Sequence, residues 1–456
     1  MSIVKKLRAR PGVGRSTVAA FALESLISGF YIVITRSLAP VLFAVMGMTL
    51  IEIVRINISA YIAALLTVLG VYNARSLIQN RVKLKLLVFH GLERVAWGFI
   101  PIAASISGTL LYMVYTLAVC LTVPTGILVN AVMLGGLSSE DAKKLFAIRS
   151  ALGAVSSIVG QLLTILILAL LPGVAKYLYL YLLAMAVGLC ATIVLSFAAI
   201  PRIVAEEREE PRESVEAIKA STAFLFLAIL LSSSSIIGTI WGPYLIRKLH
   251  AAEYIAVATG FIYTVTSIFA SLFWNSKPYT VYRAAIASVA TVPMLIAMIR
   301  IPTAHLAIAA LYAFTNTGAN FLASFVFADI AKRINVFKAS TMLIGAWCLS
   351  QVMGLGSVYI AIPLGAVYAF IVSMVFVGLA TAIAFTTIPE VAIVPEHLTI
   401  SYARQLYHVS IASYSFMVFT IRSYIVLTLK LLGLSIVFLL LYTIYRIMLY
   451  ITTLKP

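Results

Sequence analysis

Long runs of apolar residues, rather than an alternation of apolar and polar positions, organise this chain. Runs of 18 or more such residues recur from residue 17 onwards, separated by short polar or basic stretches. A helix of about 20 apolar residues crosses the hydrocarbon core of a bilayer. The pattern therefore predicts twelve membrane helices, at 17–43, 49–72, 85–106, 108–136, 149–171, 175–199, 221–245, 252–274, 281–299, 303–329, 339–362 and 364–388.

Two further apolar stretches follow, at 404–429 and 431–452. The first contains Arg404, His408 and Arg422, so it either lies in the membrane interface with its basic residues toward the headgroups or forms a hairpin with the second stretch. We expect the hairpin and keep the interfacial helix as the alternative.

Composition supports a membrane protein: hydrophobic residues make up 62% of the 456 positions, and the mean hydropathy is +1.08. A soluble chain of this composition would expose large apolar patches. The first apolar run is too long for a cleaved signal segment, so we expect it to remain as the first anchor. The three cysteines lie inside apolar runs, which predicts neither a disulfide framework nor a metal site, and no cofactor is expected.

The formal net charge of +18 is distributed unevenly. With the N-terminus in the cytoplasm, the loops on that side carry most of the basic residues, whereas the loops on the other side have only Lys176, Arg247, Lys248 and Arg300. This is the positive-inside pattern. It predicts a plasma-membrane protein with a cytoplasmic N-terminus and anionic headgroups as partners, and it argues against nucleic acid. The cytoplasmic set comprises Arg75, Arg81, Lys83, Lys85, Lys143, Lys144, Arg149, Arg202, Arg208, Arg212, Lys219, Lys277, Arg283, Lys332, Arg333 and Lys338.

The chain repeats itself in the same direction. Ala142-Lys143-Lys144-Leu145 is echoed 189 residues later by Ala331-Lys332-Arg333-Ile334, and Asn130 precedes Asn320 by 190. A charged stretch at 201–219 separates the copies. We therefore expect an all-α polytopic protein with two parallel six-helix bundles, 1–200 and 220–389, and one or two extra helices within 390–456. The seam between parallel repeats is where transporters hold substrate.

This order of features resembles the major facilitator superfamily of secondary transporters. That family's loop between helices 2 and 3 contains Gly, three residues, Asp-Arg, one residue, then Gly and two basic residues. Here Asn80-Arg81 is followed by Lys83 and Lys85, so the arginine and the trailing charges match, while both glycines and the aspartate are missing.

The start of helix 5 and the end of helix 12 are similar to the family as well, in Phe146-Ala147-Ile148-Arg149 and Ile388-Pro389-Glu390. The resemblance implies a monomeric carrier of a small molecule that works by alternating access. It also implies a cytoplasmic gate at Asn80, Arg81, Lys83 and Arg149. Without the aspartate, we expect this gate to be a weaker latch.

Three charged residues are expected inside the membrane. Glu24 lies about 10 Å into helix 1, where a carboxylate is costly and can bind and release a proton as its surroundings change. Glu24 is therefore a candidate for proton coupling, or else a fixed partner of an arginine on helix 3 or helix 5. Glu93 and Arg94 are adjacent on helix 3 and point about 100° apart, so we expect them not to neutralise each other and Arg94 to meet Glu24.

A second charged group is expected near the outer surface. Glu52 and Arg55 have the i, i+3 spacing of a helical ion pair, and Arg36 ends helix 1 at a similar depth. These three residues are candidates for an external gate, and the alternative is that they reach to the interface.

Polar and aromatic positions in helices 4, 7 and 10 provide candidates for a substrate cavity. Helix 7 contains a serine run, whose hydroxyls can satisfy backbone carbonyls, and Gly242-Pro243, which is expected to break the helix. By the resemblance Trp241 and Tyr244 face the cavity. Asn316 and Asn320 on helix 10, with the repeat partner Asn130, are further candidates. Because few charges lie at mid-membrane, a neutral, amphipathic or hydrophobic solute fits better than a highly charged one.

Other functions remain open. A multidrug or lipid-linked-saccharide flippase of the other 12–14-span class would have similar hydrophobicity, and a non-transporting membrane protein would fit the incomplete motif. An intramembrane enzyme acting on a pyrophosphate needs clustered carboxylates for its metal. Asp141 and Asp329 are the chain's only aspartates, so we expect no enzyme.

Overall fold

The computed structural model describes residues 15–73, 80–136, 139–200, 215–274, 277–331, 336–410 and residue 442. These residues form helices and connecting turns, without a strand. The helices that follow one another in the predicted order are α1 (Arg15–Thr35 and Ala39–Val45), α2 (Leu50–Asn73), α3 (Val82–Gly98 and Ile100–Ile106), α4 (Gly108–Gly136), α5 (Ser139–Leu170), α6 (Ala175–Ser196), α7 (Val215–Arg247), α8 (Glu253–Trp274), α9 (Tyr282–Val289 and Thr291–Met298), α10 (Ala304–Ala331), α11 (Val336–Ala361) and α12 (Ala366–Thr387).

The predicted helices are present, and in the described residues ten segments are long and apolar enough to cross a membrane. An eleventh is counted if α3, bent by 44° at its break, is one span. Two helices begin earlier than predicted: α5 begins at Ser139 rather than at 149, and α7 begins at Val215 rather than at 221. Both helices continue into polar sequence, so apolar runs mark only the part of each helix that lies in hydrocarbon.

The first and last helices of the first bundle meet at one end of the molecule. The Thr17 hydroxyl donates a hydrogen bond to the Ala199 carbonyl over 2.7 Å, which places the start of α1 beside the end of α6. We call this the linker end, and the other the opposite end. Within the bundle α1 crosses α5 so closely that a Cβ on Gly29 would lie 2.2 Å from the Gly153 carbonyl oxygen. Only glycine fits this crossing.

The two groups of six helices contact each other through α2 with α11, α4 with α11 and α5 with α8. Tyr61 and Trp347 meet edge to face with ring centroids 5.1 Å apart, and Ile344 of α11 fills the space beside Gly126. Residues up to 399 accordingly form one compact unit. The arrangement is consistent with two six-helix bundles in parallel, while the exact domain boundaries remain a prediction.

Residues from 400 form a second unit, of which little is described. A helix runs from 396 to 410, so it begins earlier than the predicted stretch at 404. The rest of the predicted hairpin, the basic N-terminal tail and most of the charged linker lie outside the described residues, and those predictions stand untested.

Candidate functional site

A cavity of about 450 Å³ lies at the seam between the two bundles. The first bundle contributes α1 and α5 to its wall, and the second contributes α7, α8 and α10. None of the residues found along this wall carries a charge. The volume falls within the range of small-molecule sites, which are mostly apolar with a few placed polar groups.

A break in α1 and a proline inside the continuous α7 lie in the cavity wall. α1 is interrupted after Thr35 and resumes at Ala39, with Pro40 in the first turn of the new segment. The break expected at Gly242-Pro243 does not occur, because α7 continues to Arg247 with Pro243 inside it, although a proline cannot donate the helical hydrogen bond to the carbonyl four residues earlier. Irregular backbone at membrane depth is tolerated where it lines a cavity or is buried in protein. Both prolines line this cavity.

Aromatic rings from three helices of the second bundle form one side of the cavity. The Tyr312 ring lies 6.3 Å from Trp241 and 5.4 Å from Tyr263, centroid to centroid. The Trp241 Nε1–H donates to His305 Nδ1 over 3.0 Å, and His305 Nε2 lies 2.9 Å from the Ile299 carbonyl oxygen. Because indole nitrogen only donates and a carbonyl only accepts, these bonds require a neutral imidazole protonated on Nε2. His305 thereby fixes the orientation of the Trp241 ring.

Neutral polar groups complete the cavity. The Asn316 Nδ2 donates to the Tyr263 hydroxyl over 2.8 Å, and the Ser234 hydroxyl donates to Asn316 Oδ1 over 3.4 Å. On the facing wall Gln161 is buried, and its Oε1 has no hydrogen-bond partner. Neither Gln161 nor Tyr263 could be selected from the sequence, because single polar residues in apolar runs are common.

Three of the five predicted cavity residues lie elsewhere. Trp241 and Asn316 do line the cavity. Tyr244 is buried within the second bundle, where its ring packs 5.2 Å from Phe370. Asn320 lies one turn beyond Asn316 and donates to its backbone carbonyl over 3.0 Å. Asn130 is half-buried and also lies outside the cavity wall. The repeat relates positions in sequence, but the cavity takes different helices from the two bundles.

The predicted intramembrane charges form a buried cluster in the first bundle. Glu24 on α1 lies 2.8 Å from Arg149 of α5, 3.3 Å from His90 and 3.8 Å from Arg94 of α3, and it accepts a 2.6 Å hydrogen bond from Ser28. These are the helices predicted to supply its arginine partners. Burial of a carboxylate is tolerated when such partners surround it.

The Glu93 carboxylate belongs to the same cluster. It accepts from the Arg36 guanidinium over 2.5 Å, and it also contacts Arg94 directly. The expectation that Glu93 and Arg94 do not pair was therefore wrong: their Cβ directions differ, but the long arginine side chain folds back to its neighbour. Arg94 also lies over the Tyr31 ring, 4.3 Å from its centroid. We call Glu24, Glu93, Arg36, Arg94, Arg149 and His90 the charge cluster.

The predicted external gate does not assemble. Arg36 turns inward to Glu93, and no ion pair joins Glu52 to Arg55 although both residues are described. Glu52 instead accepts hydrogen bonds from the Thr49 backbone and hydroxyl, at 2.7 and 2.8 Å, at the start of α2. Arg55 is exposed. A short carboxylate near a helix N-terminus is satisfied locally before it can reach a neighbouring helix.

The predicted cytoplasmic gate is divided as well. Arg149 lies inside α5 and belongs to the charge cluster, because the helix begins ten residues earlier at Ser139. Asn80 and Arg81 are exposed just before α3 and Lys83 is exposed in its first turn; Arg81 has a left-handed backbone with φ 55°. Their role as a latch stays a prediction.

A contact between the bundles at the opposite end was missed in the sequence. The Glu253 carboxylate at the start of α8 lies 2.9 Å from the Lys176 ammonium and accepts a 2.7 Å hydrogen bond from the Tyr177 hydroxyl, both on α6. We call these three residues the α6–α8 latch. Nearby, the Arg247 guanidinium at the end of α7 lies 3.3 Å from the Met48 carbonyl oxygen between α1 and α2. Loop charges were interpreted only for orientation, which hid this pairing.

At the level of sequence, the chain matches no protein-family model and no curated protein. Solved structures are similar in fold. The nucleoside transporter NupG (D323A mutant) aligns over 81% of this chain and 98% of its own at TM-score 0.56 and 13% identity. The Major Facilitator Superfamily transporter FucP in the outward conformation aligns over 81% and 98% at 0.54 and 13%. The human organic anion transporter MFSD10 (TETRAN) aligns over 81% and 99% at 0.54 and 14%. At these identities the likeness establishes the fold.

Proposed function

We propose that this chain, which has the fold of the major facilitator superfamily transporters, is a secondary transporter of a small neutral solute. The observation that carries the proposal is the uncharged cavity at the seam, whose wall comes from both bundles. A solute bound there contacts both moving parts at once, so rocking of the bundles exposes it first at one end and then at the other.

The contacts at the opposite end suggest how the seam closes. The α6–α8 latch and the bond between Arg247 and Met48 each join one bundle to the other. Opening that end requires both sets of contacts to break. Solute binding therefore has to favour one arrangement of the bundles over the other by its differential contacts.

Proton coupling is a further part of the proposal and centres on Glu24. Its carboxylate holds Arg149 at 2.8 Å, so a proton on Glu24 would weaken the tie between α1 and α5. The alternative is that the charge cluster is a fixed structural network.

Labelling from the two sides of the membrane tests alternating access without a known solute. Ser37 lines the cavity and is exposed, so we place a single cysteine there, with the native Cys120, Cys190 and Cys348 changed to serine. A membrane-impermeant maleimide is added to right-side-out and to inverted vesicles.

An alternating-access carrier is labelled at position 37 from both sides, whereas a control cysteine at the exposed Ser105 is labelled from one side only. Labelling of position 37 from one side alone, even after the latch is broken by Glu253→Gln, contradicts the transporter and favours a non-transporting membrane protein. Labelling only by lipid-soluble reagents favours the flippase.

A further inference from the structure

Gln161 is a polar group in the cavity wall whose carboxamide has no hydrogen-bond partner among the residues that the structure describes. It is 6% exposed, its Oε1 is buried without a partner, and no hydrogen bond of its carboxamide occurs in the described chain. A buried acceptor without a hydrogen-bond partner destabilises the protein, because its contact with water is lost and not replaced. Rotating the carboxamide by 180° would only place its amino group where the Oε1 atom now lies. The carboxamide therefore offers a donor and an acceptor to something that enters the cavity.

The second bundle presents a complementary group across the seam. Gly260 on α8 faces Gln161 so closely that a Cβ there would lie 3.3 Å from its Nε2. Tyr263 is three residues further along α8 and so lies on the same face. Its hydroxyl oxygen accepts from Asn316, which leaves the hydroxyl hydrogen to donate, and no acceptor for it is found in the described contacts.

We propose that the cavity binds an uncharged ring compound with two adjacent hydroxyl groups, and that Gln161 contacts this diol from the first bundle while the Tyr263 hydroxyl contacts it from the second. Each hydroxyl both donates and accepts, which matches a carboxamide on one side and a phenol on the other. The Trp241 and Tyr312 rings pack against the apolar face of the ligand ring. The inference rests on the proposed transport function. Free sugars and nucleosides both carry this chemistry.

Protection of a cavity cysteine measures occupancy directly. The purified full-length chain carries Ser37→Cys in the cysteine-free background, and its alkylation rate is measured with D-glucose, L-fucose and uridine as probes. Uridine monophosphate tests charge, and 2′,3′-dideoxyuridine lacks the ring diol. We expect alkylation to be slower in the presence of at least one of the three neutral diols. Uridine monophosphate and 2′,3′-dideoxyuridine should not slow it. Protection by the sugars alone or by uridine alone identifies the source of the diol.

Substitution of the glutamine tests its role. Gln161→Met keeps the shape and removes both polar atoms, so the protecting concentration should rise about tenfold. Gln351→Met on α11, outside the cavity wall, is the matched control and should change nothing. Thermal unfolding supplies a second measurement: an unpartnered carboxamide predicts that Gln161→Met melts no lower than the parent, whereas a structural glutamine predicts a lower melting temperature.

The outcomes separate this inference from the transport function. Unchanged protection in Gln161→Met, or a clear loss of stability in this variant, overturns the proposed role of Gln161. The proposed transport function still holds in that case if position 37 is labelled from both sides of the membrane. Protection by none of the three diols overturns the ligand class in the same way. Labelling of position 37 from one side only, by contrast, contradicts the proposed transport function, irrespective of the protection that the probes give.

Discussion

Breaking the α6–α8 latch should open the cavity at the opposite end. Glu253→Gln keeps an acceptor for Tyr177 but removes the negative charge that faces Lys176. The Lys176 side chain is only 7% exposed and that of Glu253 is 26% exposed. An ammonium left without its anion in such a position is costly, so the substitution penalises the closed arrangement.

The magnitude follows from the burial of the pair. Removing one partner of a fully buried ion pair costs about 3–5 kcal/mol. Solvent reaches a quarter of the Glu253 side chain, so we reduce this to about 2 kcal/mol. If only the closed arrangement contains the latch, its population relative to the open one falls by a factor of about 30. The rate at which a cysteine at position 37 is alkylated from the opposite end should therefore increase by up to this factor.

Two controls make the result specific. Glu390→Gln removes an exposed carboxylate beyond α12 and should leave the alkylation rate unchanged. Lys176→Met should raise the rate, but combining it with Glu253→Gln should add little, because the pair is already broken. An unchanged rate in Glu253→Gln, or two single effects that simply add, would refute the latch.

Three further predictions concern the charge cluster and the aromatic wall. Arg149→Met leaves the Glu24 carboxylate without its nearest cation and should lower the free energy of unfolding by about 3 kcal/mol, part of which Glu24→Gln in the same chain restores, as measured by denaturation in detergent. Glu24→Gln alone should abolish the effect of an imposed proton gradient on uptake of a protecting probe into proteoliposomes; flux unchanged by both gradient and substitution contradicts the coupling role. His305→Phe removes the acceptor of the Trp241 indole, so probe protection should weaken while His305→Gln retains it; equal protection in both variants contradicts the positioning role.

Helix positions could be predicted from this sequence because bilayer thickness fixes the length of an apolar run. The parallel repeat predicted the 6+6 arrangement, and the order of the loops predicted the fold. The same reasoning predicted that Glu24 lies near an arginine of α3 or α5, since an unpaired charge is not tolerated there. These predictions depend on the lipid surroundings of the helices and on the direction of the backbone, and both can be inferred from the sequence.

The direction of long side chains could not be predicted. Arg36 was assigned to a surface group with Glu52, but it points inward to Glu93. Arg149 was placed in a loop, whereas the extra helical turns of α5 bring it into the bundle. An arginine can reach several candidate partners at once, and helical spacing does not choose among them. Nor could the repeat place Asn130 in the cavity, because pseudo-symmetry of the sequence did not extend to the cavity wall.

The distribution of polar groups gives the two bundles different tasks. The first bundle holds the charge cluster, whereas the second packs with hydroxyl pairs such as Ser233 and Ser373, 2.7 Å apart, and faces the cavity with aromatic rings. Two helices belong to both the cluster and the cavity wall: α1 carries Glu24 and, two turns on, Ile32, and α5 carries Arg149 and, three turns on, Gln161. The 2.8 Å contact between Glu24 and Arg149 therefore ties together the two helices that form the first bundle's side of the cavity. A change of charge at Glu24 would act on solute binding through the spacing of α1 and α5 rather than through direct contact. Substitutions in the cluster should therefore alter the affinity for every protecting probe by a similar factor.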